Sequence, residues 1–213
     1  MFKAVIFDCD GVLVDSEPET FRMLAEDLAE AGLDLTPQEL EPLFLGGTIP
    51  GVFREARQLG ANLPENWVKT FYDRLYARLA RGVPLIEGIP QVLDALDAAG
   101  VPYAVGSNGT TEKMLTTLGQ HPGVMRRLKG RLFSGQELNM PKPDPGLYRH
   151  VAQFLGVDAV DCAVIEDSPT GARAARLAGM RCFAYAPEGG AKLEAEGAQV
   201  FRRMEDLPAL LLQ

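Results

Sequence analysis

The chain has 213 residues, 46% of them hydrophobic, with a formal net charge of −8. That length holds one large domain, or a core with a small insert. The acidic balance speaks against a nucleic-acid surface, which needs a basic face, but it admits an anionic substrate, because a metal and one or two buried cations reverse a local field.

Met1-Phe2-Lys3 leads straight into the apolar run Ala4-Val5-Ile6-Phe7, so no signal peptide is expected before the first strand. Residues 17–81 hold no good strand and read as helices over 18–31, 37–44, 52–60 and 65–80. A helix over 89–99 ends at Gly100, a C-cap glycine. Tyr103-Ala104-Val105 then runs into Ser107-Asn108, before a helix over 110–118. Leu132-Phe133 before Ser134 is a short strand candidate. A helix over 147–155 ends at Gly156, Ala163-Val164-Ile165 meets Glu166-Asp167, and a helix over 172–178 ends at Gly179. Cys182-Phe183-Ala184-Tyr185 is the last strand candidate.

Continuous apolar runs suit strands buried on both faces, as in a parallel sheet. Strand, helix, glycine, strand, repeated, predicts a doubly wound, Rossmann-like, mostly parallel α/β sheet. A strand-to-strand crossover needs about a dozen residues or slightly more, and the helical stretch far exceeds that. It reads as an inserted α-helical cap domain, residues 16–85, on a catalytic core of residues 1–15 and 86–213, hinged near 14–16 and 83–87. The apolar runs are too short for a membrane span. Cys9, Cys162 and Cys182 lack metal-ligand spacing and read as reduced thiols, so a cytoplasmic protein is expected; a monomer is the expected state.

In open parallel sheets, ligands bind outside the carboxyl ends of the strands. Asp8, Asp10, Ser107, Asn108, Glu166 and Asp167 therefore converge on one crevice. Four carboxylates together require cations, and hard oxygen ligands in an open site suit Mg²⁺, which keeps waters and takes a substrate phosphate. Lys142, held between Pro141 and Pro143, is the expected second cation. Strand alternation aims the Cys9 thiol away from the two flanking aspartates.

Phe7-Asp8-Cys9-Asp10-Gly11-Val12-Leu13-Val14-Asp15-Ser16-Glu17 resembles the first motif of the haloacid dehalogenase-like superfamily. Ser107-Asn108 is similar to its second motif, Lys142-Pro143-Asp144-Pro145 to its third, and Ile165-Glu166-Asp167-Ser168 with Gly171 to its fourth. The resemblance implies that Asp8 is the nucleophile, forming an aspartyl phosphate, and that Asp10 is the general acid and then the general base. It implies Mg²⁺ held by Asp8, the Asp10 carbonyl and Asp167, with Glu166 assisting directly or through water. Ser107, Asn108 and Lys142 would grip the phosphoryl oxygens.

The insert's position resembles the helical cap of the subfamily of β-phosphoglucomutases and small sugar-phosphate phosphatases. The expected specificity loop is Leu45-Gly46-Gly47-Thr48-Ile49-Pro50, where Gly46 and Gly47 allow close approach to substrate and Arg54 meets either a substrate anion or solvent. The β-phosphoglucomutases carry a histidine ten residues after the second aspartate and two cations in the cap loop; those positions here are Thr20, Leu45 and Ile49. The expected activity is therefore Mg²⁺-dependent hydrolysis of a small phosphorylated metabolite, a sugar or polyol phosphate, with phosphomutase as the alternative.

Overall fold

The computed structural model describes residues 1–213 and is built around β1 (Ala4–Phe7), whose side chains are all buried. After it come four helices, α1 (Glu17–Glu30), α2 (Pro37–Phe44), α3 (Ile49–Gln58) and α4 (Trp67–Leu79). The chain continues through α5 (Ile89–Ala99), β2 (Tyr103–Ser107), α6 (Thr111–Leu118), α7 (Pro122–Leu128), β3 (Leu132–Ser134), α8 (Gly146–Leu155) and β4 (Cys162–Glu166). It ends with α9 (Pro169–Ala178), β5 (Arg181–Tyr185), α10 (Ala191–Ala195), β6 (Gln199–Phe201) and α11 (Leu207–Leu211).

The six strands form one sheet in the order β3-β2-β1-β4-β5-β6, and every pair is parallel. Strand order reverses direction at β1, so the crevice that binds ligands in such folds opens at the ends of β1, β2 and β4. Within β1 the pleat sends Val5 and Phe7 into one core and Ala4 and Ile6 into the other. The first core continues into the helical insert through Leu24, Leu40, Phe71 and Leu75; α8 and α9 cover the second through Tyr148, Val151 and Ala175.

The insert's neck is paired. Val14 bridges Leu85 in antiparallel fashion, Asp15 N–H donates to Pro84 O at 3.0 Å and Ile86 N–H to Leu13 O at 3.0 Å. Inside the insert, Trp67 is buried and its Nε1–H donates to Asp27 Oδ2 at 2.7 Å, while Arg74 pairs with the same carboxylate.

Two helices start three residues earlier than predicted. α3 begins at Ile49 rather than at 52, because Thr48 caps the Gly51 N–H at 3.1 Å and Pro50 suits a first helical turn. α9 begins at Pro169 for the same reason, with the Ser168 hydroxyl accepting from Gly171 N–H. β6, three residues at the sheet edge, and the short helices α7, α10 and α11 carry too little periodicity to be read in advance. No helix is long and apolar enough to cross a membrane.

Candidate active site

Asp8 leaves the end of β1, Ser107 ends β2 and Glu166 ends β4, so parallel register alone brings them together. Lys142, from the loop between β3 and α8, is buried among them. Its Nζ donates to Asp8 Oδ1 at 2.5 Å and to Glu166 Oε1 at 2.6 Å, and lies 5.1 Å from the Tyr148 ring centroid. Burial alone would lower the Lys142 pKa, but Asp8 and Glu166 outweigh it and hold the ammonium above its usual range. Burial pushes Asp8 up to about 7 against the pull of Lys142, with Glu166 and Asp10 adding to the rise.

Glu166 is fully committed. Oε1 accepts from Lys142 and from Tyr148 OH at 2.6 Å; Oε2 accepts from Asp167 N–H, Ser168 N–H and the Ser168 hydroxyl at 2.9–3.0 Å. A carboxylate offers about four lone-pair sites, so these five donors leave none over. Burial would raise its pKa, but Lys142 and the other donors hold it below the usual carboxylate range. A Cβ on Gly171 would fall 1.7 Å from Glu166 Oε1, so only glycine lets α9 approach this carboxylate.

Asp10 sits on the other side of Asp8. Its Oδ1 accepts from the Ser16 hydroxyl at 2.5 Å and forms an ion pair with Lys113 Nζ at 2.9 Å. Ser16 stands at the N-cap of α1 but turns its hydroxyl to Asp10 instead of capping. Glu17 lines the same crevice, and burial, reinforced by Asp10, pushes it up to about 8. The Cys9 thiol lies in the hydrophobic core, as alternation predicts.

The loop after β2 is held from several sides. The Ser107 hydroxyl accepts from Gly109 N–H at 3.0 Å, and its own proton has no acceptor in the protein. Asn108 is the departure from expectation. Nδ2 donates to Gly46 O at 2.9 Å and to Lys142 O at 3.2 Å, while Oδ1 accepts from Lys142 N–H at 2.8 Å. Both amide protons are thus engaged by carbonyls, and the side chain struts the Lys142 loop and the cap loop instead of presenting free donors to the crevice. From the insert, Tyr76 OH meets Thr110 Oγ1 at 2.5 Å, and Tyr72 OH donates to Gln136 Oε1 at 3.1 Å, while Gln136 Nε2 donates to Asn108 O.

Gly46 and Gly47 line the pocket over Asp8, with Phe21, Leu24, Phe44, Ile49 and Leu75 as its apolar roof. Gly46 has φ +72°, and a Cβ there would fall 2.5 Å from Ser168 Oγ, so glycine permits this close approach of cap loop to core. Thr20 lines the pocket too, its hydroxyl donating to Ser16 O at 3.0 Å. Arg54 does not reach the pocket. It lies two residues from buried Val52, about 200° round α3, and is exposed over a separate groove beside Pro141 and Pro143.

Asp8, Glu166 and Asp167 offer oxygens within 4.8 Å of one another. No protein donor reaches the Asp167 carboxylate, and burial together with Glu17, Glu166 and Asp8 pushes its pKa well up. Asp8, Asp10, Glu17, Glu166 and Asp167 outnumber Lys113 and Lys142, so the donor set suits a divalent cation with hard oxygen ligands. Asp8 Oδ2 and the Asp167 carboxylate are free of protein donors for it, while Glu166, the third member of the cluster, already accepts from Lys142, Tyr148 and the turn into α9.

Lys113 and Tyr148 are site residues outside the motifs, and Ser16 and Glu17 stand in the first motif without an expected role. Lys113 did carry a signal, for it is a cation in the first turn of α6, where the helix dipole disfavours one.

Residues 2–179 match the family model described as haloacid dehalogenase-like hydrolase. The 6-phosphogluconate phosphatase of Escherichia coli K12 is 33% identical over 185 residues, covering 86% of this chain and 82% of that protein. A haloacid dehalogenase-like protein from Agrobacterium tumefaciens C58 superposes with a TM-score of 0.84 at 30% identity, covering 100% of this chain and 98% of the other. A HAD family hydrolase from Deinococcus radiodurans R1, with bound phosphate and sodium, gives 0.78 at 35% identity, covering 99% and 95%.

Proposed function

We propose that this chain, which belongs to the haloacid dehalogenase-like hydrolases, is a Mg²⁺-dependent phosphatase acting on small sugar or polyol phosphates through a phosphorylated Asp8. The observation that carries this reading is the buried Lys142, bonded at once to Asp8 and Glu166 at the ends of adjacent parallel strands.

The Asp8 carboxylate attacks phosphorus in line. The Asp8–O–P bond forms as the bond to the leaving oxygen breaks, and Asp10 gives that oxygen its proton. Asp10 then takes a proton from the water that attacks the phosphorus of the aspartyl phosphate, which frees Asp8 and inorganic phosphate. Lys142 and the unpaired Ser107 proton stabilise the charge on the phosphoryl oxygens. Glu166 keeps Lys142 in place. Mg²⁺, held by Asp8, Asp167 and the Asp10 main-chain carbonyl, would add positive charge beside the same oxygens. The apolar roof excludes water, and Gly46 and Gly47 bring backbone close to the leaving group.

Hydrolysis is favoured over phosphomutase action because the position of the mutase histidine is Thr20, whose hydroxyl is engaged by Ser16 O. The test is phosphate release with Mg²⁺ from a panel of sugar and polyol phosphates, with 6-phosphogluconate as its acidic member and p-nitrophenyl phosphate as the activated one. Turnover that needs Mg²⁺ and vanishes in a folded Asp8→Asn variant is expected. No release from any substrate, or retained turnover in that variant, would overturn the reading.

A further inference from the structure

We propose that Lys113 is a positioning residue, which fixes Asp10 through Oδ1 so that Oδ2 alone faces the reacting oxygen; the inference rests on the phosphatase reading above. Lys113 is an unfavourable residue where it stands. It is the third residue of α6, in the turn where the dipole repels cations, and only 11% of its side chain is exposed. Thr110 caps its backbone N–H at 3.1 Å, so its main chain is fixed.

What offsets both penalties is Asp10. Lys113 Nζ and the Ser16 hydroxyl meet the same oxygen, Oδ1, from opposite ends of the chain's topology: one from the helix after β2, the other from the neck of the insert. No protein donor reaches Oδ2. That oxygen faces Gly109, where a Cβ would fall 3.3 Å from Oδ2 and 3.6 Å from Lys113 Cδ, so the missing side chain keeps Oδ2 open to the pocket. The division of labour between the two buried lysines follows. Lys142 serves the nucleophile and the phosphoryl group; Lys113 serves the proton carrier.

The experiment uses the full chain with Mg²⁺ and two substrates: p-nitrophenyl phosphate, whose leaving group needs no proton, and the best alkyl phosphate of the panel. The ratio kcat/KM reports transfer to Asp8. In Lys113→Met it should fall about 10²-fold for the alkyl phosphate, the order of loss that a misplaced catalytic group produces, and no more than about threefold for the aryl phosphate, which bypasses general-acid help. Turnover of p-nitrophenyl phosphate should then begin with a burst of p-nitrophenolate, because Asp10 also serves the water step. Lys113→Arg should restore most of the alkyl activity. Circular dichroism checks folding, and Lys113→Gln takes the same test if Lys113→Met does not fold. Equal loss on both substrates, as expected of a residue that binds substrate or only supports the fold, would overturn the proposal, as would no loss on either. A wild-type chain inactive on every substrate would instead defeat the phosphatase reading itself.

Discussion

The Asn108 side chain and the Lys142 main chain close a ring of two hydrogen bonds, at 2.8 Å and 3.2 Å, with the remaining amide proton given to Gly46 in the cap loop. One side chain therefore braces the frame from which Lys142 reaches Asp8 and ties that frame to the cap loop.

Asn108→Ala removes three hydrogen bonds and fills no space. It should lower kcat by about 10²-fold, through a displaced Lys142, while the Mg²⁺ requirement persists. Steady-state kinetics against Mg²⁺ concentration check this. A variant with wild-type kcat would show that the Lys142 loop holds its shape unaided.

Gly171→Ala sets a methyl on the Glu166 carboxylate, which is fully buried and cannot move aside. Displacing Glu166 breaks its bonds to Lys142 and Tyr148. The expected loss of stability is about 3 kcal/mol, the order seen when a buried ion pair loses a partner, with little phosphatase activity left. Urea unfolding measures the first and phosphate release the second. A midpoint equal to wild type would mean that α9 shifts to accommodate the methyl.

The pH dependence of the metal effect has a fixed sign. In the metal-free chain, burial raises Asp8 to about 7 and Glu17 to about 8. In the unfolded chain both ionise near the ordinary carboxylate value of about 4. Between those limits the folded state holds protons that the unfolded state has released, so these groups subtract stability as pH rises from about 4 towards 8. Mg²⁺ binds the ionised form. The rise in melting temperature on adding Mg²⁺ should therefore be larger at pH 8 than at pH 6, measured with and without chelator. A larger rise at pH 6 would contradict this account.

Much of this site is legible in sequence because strand ends carry it. Asp8, Ser107 and Glu166 each follow an apolar run long enough to read, and parallel register then brings them together. What sequence does not carry is which partner each polar group finds. Glu166 and Asp167 are neighbours with the same chemistry, yet the turn into α9, Asp167-Ser168, aims two backbone N–H groups and a hydroxyl at the first and no donor at the second. Asn108 looks like a free donor until its carbonyl partners, 34 and 62 residues away, are known. Arg54 follows the solvent alternative, because helical spacing from the buried Val52 turns it outward on α3. Lys113 lies outside the motifs, and its role depends on a contact across more than a hundred residues.

Trp67 is the chain's single tryptophan, and it is buried inside the helical insert against Asp27, Phe53 and Phe71. Indole emission is thus a built-in optical tag on that segment alone, blind to the sheet that bears the aspartates. Paired with far-ultraviolet circular dichroism, it separates loosening of the lid from melting of the whole chain without adding a label.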